Sequence, residues 1–236
     1  MSKNIPLNER LIFALDVDSL SEAERWLDLL GDHVRFYKVG LQLFLAEWFP
    51  AIDTILKRGH KVMVDLKFFD IPETVALAVR ELKNRGATFI TVHGNDLILR
   101  AAVQERNGAK ILAVTVLTSF DESDMLEMGF TGTIADLVYH RAKKALSIGC
   151  DGIISSGLEV PRLREGLGDR FLIVTPGIRP GTNDVIQEDD QKRIASAYQA
   201  IRNGADYVVV GRPIRNSSDP VSVVKQIQDQ MADAIA

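Results

Sequence analysis

The chain has 236 residues, 46% hydrophobic and 25% charged, the balance of an ordinary globular protein with enough chain to bury a large core. A net charge of −4 gives no basic footprint, so a nucleic-acid partner is not expected, although a few local arginines suffice for one small anion. No apolar run reaches membrane-spanning length, and the opening MSKNIPLNER lacks the apolar region of a secretory signal, so neither a membrane partner nor export is expected. One cysteine, Cys150, excludes an intrachain disulfide and makes a reducing cytoplasm the default. Its setting in IGCDGII reads as a small buried filler, because no partner for a nucleophile can be assigned.

In chain order, short apolar runs recur: LIFALDV (11–17), VRFYKVG (34–40), KVMVDLK (61–67), TFITVHG (88–94), KILAVTV (110–116), DGIISSG (151–157), FLIVTPG (171–177) and DYVVVGR (206–212). They are rich in β-branched residues and have strand length. Helix-like segments lie between most of them, including SEAERWLDLLG, LAEWFPAIDTILKRG, ETVALAVRELKNRG, IADLVYHRAKKALSIG and the final DPVSVVKQIQDQMADAIA. Several end on Gly after a basic residue (KRGH, KNRGA, IRNGAD), a helix-stop pattern. Strands apolar on both faces, alternating with helices eight times, predict a parallel sheet covered by helices. Eight units favour a closed (β/α)8 TIM barrel, a single domain over residues 1–236. The competing open doubly wound sheet wants a GxGxxG turn after its first strand, and here that turn reads DVDSLSE.

The stretch VMVDLKFFDIPETV (62–75) places Asp65, Lys67 and Asp70 at the end of an apolar run, where desolvation makes charge costly. In a barrel of this kind active sites sit at the carboxyl ends of the strands, and other predicted strands also finish on polar residues: Asp16, Lys38 and His93. Alternation puts Met63, Asp65 and Lys67 on one face, Ala14 with Asp16, and Phe36 with Lys38. If those faces point inward, two acids and two amines converge at one mouth. Structural ion pairs closing the barrel top are the bland alternative. It weakens for the set as a whole, because buried pairs seldom repay their desolvation, whereas an Asp–Lys–Asp–Lys array, at roughly 4 kcal/mol per pair for a 4 Å separation and an effective dielectric near 20, is viable and is the kind of cluster that marks catalytic sites. Asp70 could instead cap the next helix through a DIPE box, but Pro72 fits as the first helical residue, one position too late for that. Phe68 and Phe69 are odd in a rim loop; tucking under the barrel edge and covering by another subunit both remain open.

Loops after strands seven and eight often hold phosphate in this fold. Here they read TPGIRPGTND and VVVGRPI, with Gly177 and Gly211 allowing close backbone approach and Arg179 and Arg212 offering bidentate donors. The four histidines are scattered, without HxxxH or CxxC spacing, so no metal site is expected. His33, His60 and His140 look like surface positions, and His93 like a packed neighbour of the site.

DLKFFDIPET, together with ALDV, YKVG, TVLTS, TPGIRPG, DQKR and GRPI in this order, resembles the bacterial-type orotidine 5′-phosphate decarboxylase family over nearly the whole chain. The resemblance implies a cofactor-free enzyme in which Lys67 donates a proton to C6 of the pyrimidine, with Asp65 and Lys38 completing the array. It implies that Asp16 and Lys38 contact the ribose and that Thr118 lies at the pyrimidine. Arg179, Gln191, Gly211 and Arg212 would hold the phosphate, and Asp70 and Thr74 would reach into the partner's site across a homodimer. The chain departs from the family pattern at Glu73, often Asn, at VHGND (92–96), where smaller residues are frequent, and in a somewhat long segment from Arg179 to Gln191. The alternatives are a Mg²⁺-dependent sugar-phosphate relative of the same superfamily and a silent nucleotide-binding barrel. The intact charges Asp16, Lys38, Asp65, Lys67 and Asp70 argue against the second.

Overall fold

The computed structural model describes residues 3–106, 108–179, 181 and 193–236; Gln191 lies outside them. Eight strands close in chain order into one parallel barrel: β1 (Leu11–Ala14), β2 (Phe36–Gly40), β3 (Lys61–Phe68), β4 (Phe89–Val92), β5 (Lys110–Val114), β6 (Gly152–Ile154), β7 (Leu172–Thr175) and β8 (Tyr207–Val210). β8 returns to β1, pairing Leu11 with Val208 and Phe13 with Val210, so the sheet keeps no free edge. Each apolar run of the sequence contributes one strand. Most strands stop short of their run, because the polar residues that follow leave the ladder to build the loops of the mouth.

The period of two is read directly in the packing. Ile12, Ala14, Phe36, Met63, Phe89, Leu112, Val114, Ile154, Leu172, Val174, Tyr207 and Val209 fill the barrel interior, while their neighbours Leu11, Phe13, Tyr37, Val62, Val64, Ile90 and Ile111 face the helices. Phe36, Phe89 and Tyr207 close the lower interior with ring centroids 4.9 to 5.8 Å apart. Aromatic side chains thus plug one end, and smaller ones (Ala14, Val114, Val209) leave room at the other.

The helices follow their sequence signals with one revision. The span 45–59 reads as one helix, yet the chain forms two, Leu41–Glu47 and Phe49–Lys57, broken at Trp48 with φ 51°. Pro50 explains the break: in a continuous helix its ring would clash with the carbonyl of Ala46, whereas near the start of a new helix it costs nothing. Helix Pro72–Lys83 begins at Pro72 with Ile71 as its N-cap residue. Asp70 makes no cap, and its carboxylate accepts from the Ile71 N–H at 2.7 Å.

His60 is not a surface residue. It is buried against Tyr37, centroids 5.2 Å apart, because the chain turns inward one residue before β3 starts; burial and then Arg35 lower its pKa. His33 and His140 are exposed. Cys150 is buried, and that burial pushes its thiol up to about 12. Among the described residues no helix is long and apolar enough to cross a membrane.

Candidate active site

The carboxyl ends of the strands surround a cavity of about 620 Å³ whose walls include Asp16, Lys38, Asp65, Lys67, Thr118, Arg179, Gly211 and Arg212. The polar residues of three adjacent strands meet there. Lys38 Nζ donates to Asp16 Oδ1 at 2.9 Å and lies 3.7 Å from Asp65 Oδ2, and Lys67 Nζ donates to the same Asp65 oxygen at 3.0 Å. The result is an alternating acid–amine–acid–amine chain across β1, β2 and β3. Register explains it: Ala14 pairs with Lys38 and Gly40 with Asp65, so successive strands deliver their last inward residues at similar height.

Lys67 reaches this array by an irregular route. Its φ is 48°, and the β3–β4 register shifts between Val64 and Phe68. A bulge of this kind re-aims a side chain next to a site, and a left-handed non-glycine residue costs on the order of 1–2 kcal/mol. Thr91 on β4 stabilises the arrangement: its hydroxyl accepts from the Lys67 backbone N–H at 3.0 Å and donates to Asp65 Oδ1 at 2.9 Å. Sequence reasoning missed Thr91, although the alternation that puts Phe89 inside the barrel puts Thr91 inside as well.

Asp65 is the most enclosed member. Burial alone would raise its pKa, but the Lys38 and Lys67 ammonium groups and the hydrogen bonds from Lys67 and Thr91 outweigh burial and hold the carboxyl below its ordinary value. It is an anion at neutral pH, and its two oxygens are committed to opposite neighbours. Gly40 gives the array space: a Cβ there would stand 2.9 Å from Lys38 Nζ and 3.2 Å from Asp16 Oδ1.

On the opposite wall, Gly177 has φ 76°, a conformation glycine adopts without strain. The Arg179 backbone pairs with Ala195, and the buried Arg179 side chain donates to the Ile178 carbonyl at 2.9 Å. Gly211 approaches β1 closely, since a Cβ would meet that of Ala14 at 3.2 Å. Arg215, which sequence reasoning did not single out, also lines the cavity and donates to the Asp16 backbone carbonyl. Ser119 joins Thr118 on the β5 side. The cavity is therefore cationic and rich in donors on one wall and carries fixed mixed charges on the other.

Two sequence-predicted residues are not brought into this cavity: Asp70 and Thr74 are exposed and absent from its walls. Beside them Phe69 is 69% and Ile71 66% exposed. Phe68 tucks against the outer core, and the half-buried His93 faces the Phe69 ring at 5.4 Å.

A closed parallel barrel with charged residues gathered around a cavity at the carboxyl ends of its strands defines the molecule as a (β/α)8 barrel of the TIM type. The chain belongs to the orotidine 5′-phosphate decarboxylase / HUMPS family, whose profile matches residues 9–227. It is 51% identical, over all of its length and 97% of the relative's, to an orotidine 5′-phosphate decarboxylase of Methylococcus capsulatus. A protein of the same name from Xanthomonas oryzae pv. oryzae is 47% identical over 97% of this chain and 94% of its own. The crystal structure of orotidine 5′-phosphate decarboxylase from Lactobacillus acidophilus superposes with TM-score 0.82 at 37% identity, covering 94% of this chain and 99% of that one.

Proposed function

We propose that the protein decarboxylates orotidine 5′-phosphate to UMP and CO₂ in pyrimidine biosynthesis, without a cofactor, as a cytoplasmic homodimer. The names of its relatives support the reaction. The observation that carries the mechanism is the Lys38–Asp65–Lys67 cluster, with Lys67 Nζ 3.0 Å from an enclosed carboxylate.

Breaking the bond between C6 and the carboxylate releases CO₂ and leaves the electron pair in an sp² orbital that the ring cannot delocalise as an enolate. Stabilisation must come from fixed charge nearby, and a pre-positioned ammonium costs no reorganisation as that charge develops. Lys67 supplies the charge and then the proton to C6, and is reprotonated from water. Asp65 keeps it aimed, and Lys38 balances Asp65. Asp16 and Lys38 take the ribose hydroxyls, and Thr118 the pyrimidine. Arg179, Gln191, Gly211 and Arg212 hold the phosphate, whose binding energy far from C6 is available at the transition state. Asp70 and Thr74 act in the partner's site. Their exposure beside the apolar Phe69 and Ile71 supports a covered surface there.

The test is to mix the purified chain with orotidine 5′-phosphate and EDTA and follow pyrimidine absorbance. Turnover is expected, and its absence rejects the reading. Lys67→Ala should bind UMP but not turn over; robust turnover in that variant refutes the role given to Lys67.

A further inference from the structure

A second cavity, of about 310 Å³, opens beside the end of β4, with His93, Asn95, Leu99, Ala113, Arg141 and Lys144 among its walls. It is distinct from the catalytic cavity, which neither His93 nor Arg141 lines. Three pieces of chain build it: the segment VHGND (92–96), one of the departures from the family pattern, the end of β5, and helix Ile134–Ile148. Asn95 spends its side chain on the next helix, Asp96–Glu105, accepting from the Ile98 N–H at 3.3 Å. Asp96, the acid of this wall, pairs with Lys144 at 3.4 Å. Arg141 has no such match. Its guanidinium donates to the Thr115 carbonyl at 2.6 Å and lies 5.3 Å from the Phe130 ring, but no carboxylate among the described residues pairs with it. The side chain is half-buried, and that burial lowers its pKa with no acid to offset the loss of solvent.

A cation drawn out of water is ordinarily paired, because desolvation without a counter-charge is costly. A guanidinium carries five N–H donors in a fixed fork, and one carbonyl and one ring leave most of them unused. His93, on the facing wall, adds a second unmet group: its Nδ1 is buried and has no hydrogen-bond partner. The rest of the lining is apolar, from Leu99, Ala113, Val114 and the Phe69 ring. Exposed Lys144 and His140 stand at the rim, so the cavity is open to solvent on a positively charged side. Its volume is that of a small-molecule site. A planar carboxylate fits the fork in bidentate fashion, and an apolar body behind it covers the apolar wall. A phosphate ion satisfies the fork and leaves that wall unused. We infer that this cavity is a second ligand site, which takes a carboxylate on a compact apolar or aromatic body and grips it through Arg141.

The experiment titrates benzoate, and separately inorganic phosphate, into the purified full chain, with UMP at saturation to occupy the catalytic cavity. Calorimetry reads the binding, and the ring resonances of His93 report where it occurs. The expected result is saturable benzoate binding that shifts His93, with phosphate clearly weaker. Arg141→Met should weaken benzoate by about 10- to 100-fold, the scale of losing hydrogen bonds to a charged group. Arg141→Lys, which keeps the charge but loses the fork, should fall between the two, and it supplies the comparison if Arg141→Met folds poorly. Absence of saturable benzoate binding, binding that ignores both substitutions, or phosphate bound as tightly as benzoate would overturn the inference. So would a change of oligomeric state in Arg141→Met while wild type binds no benzoate, which would assign the arginine to a contact between copies of the chain. The site does not depend on the reading under Proposed function. Should the chain neither bind UMP nor turn over orotidine 5′-phosphate, that reading fails, and the benzoate titration without UMP still decides this one through its dependence on Arg141.

Discussion

The hydroxyl of Thr91 donates to Asp65 at 2.9 Å and at the same time receives the backbone N–H of Lys67 at 3.0 Å. One fully buried side chain thus fixes an acid and the bulge that aims its amine partner. Replacing it by Val keeps the shape and removes both bonds. Thr91→Val should lower stability by about 1–3 kcal/mol, the cost of leaving buried polar groups unpaired. Each 1.4 kcal/mol of this that is felt at the transition state lowers kcat about tenfold. Urea unfolding and steady-state kinetics check the two effects; unchanged kcat would show that the bulge holds Lys67 without Thr91.

Asp65 predicts a pH dependence of stability. Its pKa is held below the ordinary 3.8 by the two lysines and Thr91 despite burial. A carboxyl depressed on folding contributes stability above its unfolded value and loses it as pH falls through the folded value. The stability gap between wild type and Asp65→Asn should therefore be constant from neutral pH down to about 4 and shift against wild type below that, because there wild-type Asp65 takes up a proton on unfolding and the variant's Asn does not. Unfolding midpoints from pH 7 to pH 3 test it. Parallel curves over that range would contradict the assigned electrostatics.

Gly40 has an ordinary φ of −97°, so a side chain there brings no backbone strain. What it meets is the array: its Cβ would come within 2.9 Å of Lys38 Nζ. Gly40→Ala should fold with little change in thermal midpoint and yet lose about 100-fold in kcat/KM, because the displaced ammonium serves both Asp16 and Asp65. Full activity in a normally folded variant would show that Lys38 can shift without consequence.

The strands, their order and the faces they present were legible because burial on both sides of a parallel sheet writes continuous apolar runs with a period of two. Asp16, Lys38 and Asp65 were legible for the same reason: they continue the inward phase of Ala14, Phe36 and Met63. Lys67 keeps its neighbour only through a backbone excursion that no pattern announces. Thr91 was hidden because a threonine inside a strand is also an ordinary β-former. The break at Trp48 was readable from Pro50 but was masked by the apolar periodicity on both sides, and the burial of His60 depends on where the chain enters β3, which periodicity fixes only to within a residue or two.

Asp70 and Thr74 are exposed and do not line the cavity that holds Lys67, which leads to the last prediction. If they complete the partner's site, Lys67→Ala and Asp70→Ala chains are each inactive alone but complementary together. A site built from an intact Lys67 of one chain and an intact Asp70 of the other forms only in the hybrid dimer, and only on one of its two sides. Random exchange of equal amounts makes half the dimers hybrids, so about a quarter of all sites should recover. Activity near that fraction of wild type, rising with the time allowed for subunit exchange, is the expected outcome. Exchange demonstrated by mass-tagged chains without any regained turnover would mean that Asp70 serves its own subunit, and the exposed Phe69–Ile71 strip would then need a different explanation.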